Sequence, residues 1–297
     1  MHDPTMAQID EPQPLSLRLP AILARFRTSE WIFLTYFAYV ALLAIAFRLE
    51  ARIVLSAFAV LFCAVAIFAL FVVRSLHRIR DIAPILLVLA CYREMDWFSS
   101  TTKTRALETQ WLRWDHEWLF DHGFREAIEC LGRVFPGVLE FSYLWVYGIA
   151  ALSVGAFYLY KQEIRVGRFF TVYLISTLSA YAMFPFFPSD PPRVVFAGLD
   201  LPNVVTPLRQ LNLFLVSDYG IHSSVFPSAH VSSAFGAAWG LIRFLPERRA
   251  IGWGMLVYAV VVSIATVYGR YHYAVDALAG FGVSLIALAV AWRMRPE

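Results

Sequence analysis

The residues with chemistry to offer stand in three short stretches. They are Pro191-Pro192-Arg193, Pro227-Ser228-Ala229-His230 and His272-Tyr273-Ala274-Val275-Asp276, the last preceded by Arg270. Arginine presents a planar fork of donors that fits phosphate oxygens. A Pro-Ser pair suits a helix start, with Ser228 as the cap and unpaired backbone N–H groups that favour an anion. His272 and Asp276 are four residues apart and share one helix face. The carboxylate can then accept one ring N–H, fix the tautomer and leave the other nitrogen as a nucleophile. Two histidines, an aspartate and two arginines are what phosphoryl transfer requires. The arginines neutralise phosphate oxygens, one imidazole attacks phosphorus and the other protonates the leaving oxygen. Taken singly, each stretch has a plainer reading: a surface-anchoring arginine, a satisfied histidine, or a buried ion pair that holds helices together. His116 and His122 lack the i, i+4 spacing of a helical metal pair, and Cys63, Cys91 and Cys130 form no paired pattern. The sequence therefore predicts no metal and no cofactor.

Composition restricts the elements that must position these residues. Apolar residues make up 59% of the 297 and charged residues 16%, against roughly 45–50% and about 25% in soluble domains. Mean hydropathy is +0.60. A disordered chain, a disulfide-stapled module and an ordinary soluble enzyme are excluded, and the continuous apolar runs exclude a membrane β-barrel. The net charge of +3 is small and scattered, which argues against nucleic acid as a partner. Apolar runs cover 31–47, 53–73, 82–98, 139–160, 169–187, 230–245, 251–268 and 272–292. A crossing helix needs about 20 residues. Basic residues recur in every second loop: Arg25 and Arg27, then Arg74, Arg78 and Arg80, then Lys161, Arg165 and Arg168. Arg243, Arg248 and Arg249 follow, and Arg293 and Arg295 close the series. Those loops are predicted to be cytoplasmic. The same parity requires the weak run 82–98 to cross despite Pro84. The expectation is an all-α, polytopic transmembrane bundle of about eight helices, with all three reactive stretches on the non-cytoplasmic face. Residues 1–30 read as a cytoplasmic tail with a surface helix over 17–26, residues 31–100 as N-terminal transmembrane helices, and 101–297 as the catalytic core. Within 99–137, Trp111, Trp114 and Trp118 alternate with Arg113, Asp115 and Glu117, a pattern suited to an interfacial helix that caps or collars an entrance.

The three stretches resemble the signature of the type-2 phosphatidic acid phosphatase superfamily: an arginine after one helix, Pro-Ser-x-His opening the next, and a distal His-x-x-x-Asp. The likeness covers roughly residues 110–290. The His-Tyr-x-x-Asp form, the Pro-Pro-Arg form and the wide loop 188–226 resemble the inositolphosphorylceramide synthase branch, the aureobasidin target, more than the plain phosphatases. The resemblance implies a six-helix core and a phosphohistidine intermediate. By position it makes His272 the nucleophile, Asp276 its orienting partner and His230 the general acid, with Arg193 and the Ser228 region on phosphate. In the common phosphatase form a lysine stands seven residues before the first arginine and an arginine six before the nucleophile. Here those positions are Phe186 and Thr266, and Arg270 is the candidate replacement clamp. The implied substrate is a phospholipid or other lipid phosphate, with a lipid alcohol such as ceramide as a possible acceptor. The implied location is a multi-pass bacterial cytoplasmic membrane protein with an outward-facing site. The alternatives are a plain lipid-phosphate or polyprenyl-pyrophosphate phosphatase, a transporter or scramblase, and a catalytically silent scaffold. Transporter sites usually lie near the bilayer midplane, whereas these polar residues stand at helix ends.

Overall fold

Within hydrocarbon a backbone must satisfy its own hydrogen bonds, so apolar runs bounded by arginines become helices. The computed structural model describes residues 20–99 and 105–295, and no strand occurs among the described residues. The chain begins with α1 (Thr28–Ala46), α2 (Ala51–Val73) and α3 (His77–Glu94). Two short helices follow, α4 (Ala106–His116) and α5 (Phe124–Glu129). Next come α6 (Val134–Trp145) and α7 (Ile149–Leu159), joined by one 3-10 turn, and then α8 (Val166–Met183). The wide loop holds α9 (Pro192–Val195) and α10 (Pro207–Asp218), and α11 (Ala229–Phe244), α12 (Arg249–Tyr268) and α13 (Ala274–Arg293) complete the bundle. Residues 1–19 of the expected tail lie outside the described residues. Of the helix expected over 17–26, the described residues show a helical turn at 20–23.

Among the described residues, six segments are long and apolar enough to cross a membrane, counting α6 and α7 as one. The two further crossings expected from the sequence, α3 and α11, fall short of that measure for different reasons. Charged residues crowd both ends of α3, and α11 has 16 residues rich in serine, glycine and alanine. Each nevertheless runs beside a helix that does qualify. Ser228 N–H donates to the Asp276 carbonyl (2.9 Å) at the start of α11 and α13. At their other end, Arg243 Nε donates to the Ala291 carbonyl (3.0 Å). Likewise Arg80 on α3 pairs with Glu30 on α1, and further along Tyr36 donates to the Cys91 carbonyl (3.0 Å). Lipid-facing apolarity is not needed at the centre of a bundle. There α11 packs on α8, α12 and α13, and small residues permit the close approach. Ser176 and Ser232 exchange hydroxyl-to-carbonyl bonds of 2.6 and 2.7 Å. A Cβ at Gly236 would collide with the Ser176 side chain. By contrast, α2 buries only 17% of its most apolar window, against 72% for the segment containing α8. Its outer face is apolar because lipid is its solvent.

The arginine-rich loops gather at one end, as the alternation predicts. Arg27 reaches Asp81, which also accepts from Tyr158, and Arg165 pairs with Glu247. The three reactive stretches lie at the other end.

Candidate active site

The third stretch follows a tight reversal. α12 stops at Tyr268, and Arg270 takes a left-handed backbone conformation (φ +60°) that non-glycine residues adopt at a cost. The N–H groups of Tyr271 and His272 both donate to the Thr266 carbonyl (3.0 Å each). Tyr273 caps α13, and Asp276 Oδ2 accepts the Tyr273 N–H (2.9 Å) from the third helical position. The same oxygen lies 3.3 Å from His272 Nδ1, and the Val225 carbonyl lies 2.9 Å from it. Both neighbours are acceptors, so Nδ1 carries the proton and Nε2 keeps its lone pair.

The second stretch opens α11. Ser228 Oγ accepts the Val231 N–H (3.4 Å), which makes it the expected cap. The His230 ring sits 5.6 Å from that of His272, centre to centre, at 63°. It stacks on Tyr143 (4.8 Å), with Tyr147 edge-on at 5.6 Å. Its Nε2 is buried and has no protein partner among the described residues. Both imidazoles line one cavity of about 110 Å³, and Arg193 lines it with them. The Arg193 guanidinium lies 5.4 Å above the Tyr271 ring, and its backbone N–H donates to the Arg270 carbonyl (3.3 Å).

Two of the expected phosphate ligands are placed otherwise. The Ser228 side chain is fully buried as the helix cap, and the adjoining Ala229 lines the cavity instead. Arg270 is fully buried outside the cavity wall and donates Nη1 to Asp115 Oδ2 (2.7 Å); its Nε and Nη2 have no protein partner among the described residues. Phe186 is half exposed, and Thr266 is buried with its hydroxyl on the Ser263 carbonyl (2.9 Å).

α4 is a strut of this site more than a collar. Trp111 stacks on Phe226 (5.5 Å), Glu108 accepts the Asp190 N–H (2.7 Å), and Asp115 Oδ1 accepts the Ala274 N–H (2.9 Å). Burial pushes the Asp115 carboxyl up to about 6, with Arg270 and the Ala274 N–H opposing the rise. The spacing 108, 111, 115 is one helix face and was the available signal. Sequence reasoning missed Glu140, on α6. It receives Arg209 (2.9 Å), Asn212 (2.7 Å) and the Tyr271 hydroxyl (2.6 Å), all buried. Tyr271 in turn stacks on Tyr143 at 3.9 Å. A carboxylate inside an apolar run was the cue, since such a group must be paired. Arg209 belongs to this network and is neither a solvated loop charge nor part of the cavity wall.

A family model described as the PAP2 superfamily matches residues 106–290. A PA-phosphatase related-family protein of Dictyostelium discoideum is 38% identical over 63 residues, which is 21% of this chain and 11% of that protein. The chain thus spans about a tenth of the length of this curated relative. No solved structure matches.

Proposed function

Because this chain belongs to the PAP2 superfamily, we propose that it is an integral-membrane lipid phosphotransferase or phosphatase working through a phosphohistidine. The observation that carries this reading is the pair of imidazoles at 5.6 Å on one cavity, with the His272 tautomer fixed so that Nε2 holds the lone pair. In the first step Nε2 of His272 attacks phosphorus. The bond to the lipid oxygen breaks, and His230 supplies the proton to that oxygen. In the second step His230 takes a proton from water or from an acceptor alcohol, whose oxygen displaces His272 from phosphorus. Asp276 and the Val225 carbonyl hold the His272 ring through both steps. Arg193 and the N–H groups of Ala229 and His230, at the start of α11, are the donors for the phosphoryl oxygens. The loop arginines support a site on the non-cytoplasmic face.

The inositolphosphotransferase branch is the finer form of the proposal. It is supported by the His-Tyr-x-x-Asp motif and by Phe186 and Thr266, which leave out the two cations of the common phosphatase pattern. Incubation with radiolabelled lipid phosphate should leave acid-labile label on the protein, and His272→Ala should abolish it. Label retained in that variant would falsify the mechanism. Transfer of label to added ceramide, diacylglycerol or polyprenol marks a transferase; release of inorganic phosphate alone marks a phosphatase.

A further inference from the structure

We infer that α3, which precedes the matched region 106–290, forms the wall that receives the hydrocarbon chain of the substrate and so selects its length. This rests on the reading of His230 and His272 as the phosphoryl-transfer pair. The cavity that holds both histidines continues past them along α3, where Ile85, Val88, Leu89 and Tyr92 line it. Their spacing is i, i+3, i+4, i+7, so one face of the helix forms the wall. On the opposite side the lining runs from Tyr143 on α6 to Ala150 on α7.

The orientation of α3 sets which end of this wall is near the chemistry. Tyr92 Oη accepts the Ile221 N–H (3.2 Å), and Arg93 Nη1 donates to the Tyr219 carbonyl (3.2 Å). Both bonds tie the last turn of α3 to the loop that leads into Val225 and Pro227. Tyr92 therefore lies at the phosphate end and Ile85 at the far end, seven residues or about 10 Å away at the rise of an α-helix. The near end offers Arg193, His272 and Ser224; the far end offers aliphatic side chains. Leu89 and Tyr147 belong to the lining and are 48% and 50% exposed. They mark a lateral mouth between α3 and the α6–α7 junction, through which a chain can enter from the bilayer.

Val88 is the residue to test, because it is 6% exposed and midway along the wall. The purified full chain in mixed micelles is assayed on phosphatidic acids of increasing acyl length, and kcat/KM for the longest is divided by that for the shortest. In Val88→Phe this ratio should fall at least tenfold, and in Val88→Ala it should rise. Ratios equal to that of the wild type in both variants would overturn the assignment of α3. Should Val88→Phe fail to fold, Val88→Ala decides the matter alone, since an unmoved ratio there has the same force. A wild type that turns over neither this series nor the matching phosphatidylinositols and polyprenyl phosphates overturns the enzymatic reading itself, a result distinct from an active enzyme with an unmoved ratio.

Discussion

The two ends of the bundle both bury charge, and they treat it differently. At the arginine-rich end, Arg80 gives two donors to Glu30 at 2.7 Å each and a third to the Arg25 carbonyl at 3.0 Å. Asp81 accepts from Arg27 and Tyr158, one on each oxygen. No side-chain atom of these residues appears among the buried polar atoms without a partner. Those atoms fall instead at the opposite end, and they include His230 Nε2, Asp276 Oδ1 and two nitrogens of Arg270. Buried polar groups are almost always hydrogen-bonded in proteins. One end has thus used its polar atoms to fasten α1, α3 and α7 together. The other leaves polar atoms without a protein partner among the described residues, and one of them, His230 Nε2, belongs to a residue of the cavity wall.

That contrast can be broken by mutation. His272→Ala should lower turnover at least about a thousandfold, since under the proposed mechanism it removes the attacking nitrogen. The thermal midpoint should stay near that of the wild type, read by a thermal-shift assay in detergent. Arg80→Ala should do the reverse. Removing one partner of a buried pair costs about 3–5 kcal/mol, so the midpoint should drop clearly while kcat per folded molecule stays within twofold. A large loss of kcat in the folded fraction would mean that the two ends are not separable. Tyr271→Phe sharpens the comparison from within the site. It removes one hydroxyl from Glu140, which keeps Arg209 and Asn212, and costs about 1 kcal/mol. Because Tyr271 also stacks on Tyr143, and Tyr143 on His230, a several-fold fall in kcat is expected with KM little changed.

The smallest effect concerns pH. The Asp115 carboxyl is raised from an ordinary value near 3.8 to about 6 by burial. A raised carboxyl contributes stability that is fully present below the unfolded value and is lost as pH rises through the folded one. From this group alone the thermal midpoint should therefore decline between about pH 4 and pH 6. In Asp115→Asn that component should vanish; the same slope in wild type and variant would contradict it.

Much of this was legible in the amino-acid order. Periodicity and loop arginines are local or additive signals, which is why the helices and the common end of the three stretches were foreseeable. His272 and Asp276 do meet at 3.3 Å, but not on one helix face as expected: His272 stands before the N-cap Tyr273 and reaches Asp276 from outside α13. The expected crossing of α3 rests on parity alone: its hydropathy is weakened by Arg80, Asp81, Arg93 and Glu94, and the partners of Arg80 and Asp81 lie elsewhere in the chain. Ser228 and Arg270 show the opposite case. Their types suited phosphate, but a cap hydrogen bond and a carboxylate on α4 claimed them.

By itself the sequence determined the solvent this chain folds in, the alternation of its helices and the three polar stretches from which the proposed triad is drawn. Only the tertiary structure decided which nitrogen of His272 is free, because the Val225 carbonyl that holds the other comes from 47 residues away. It likewise decided that Glu140 supports Tyr271 across 131 residues and that α3 walls the cavity. Such contacts depend on how helices pack against each other, and no spacing along one helix encodes them.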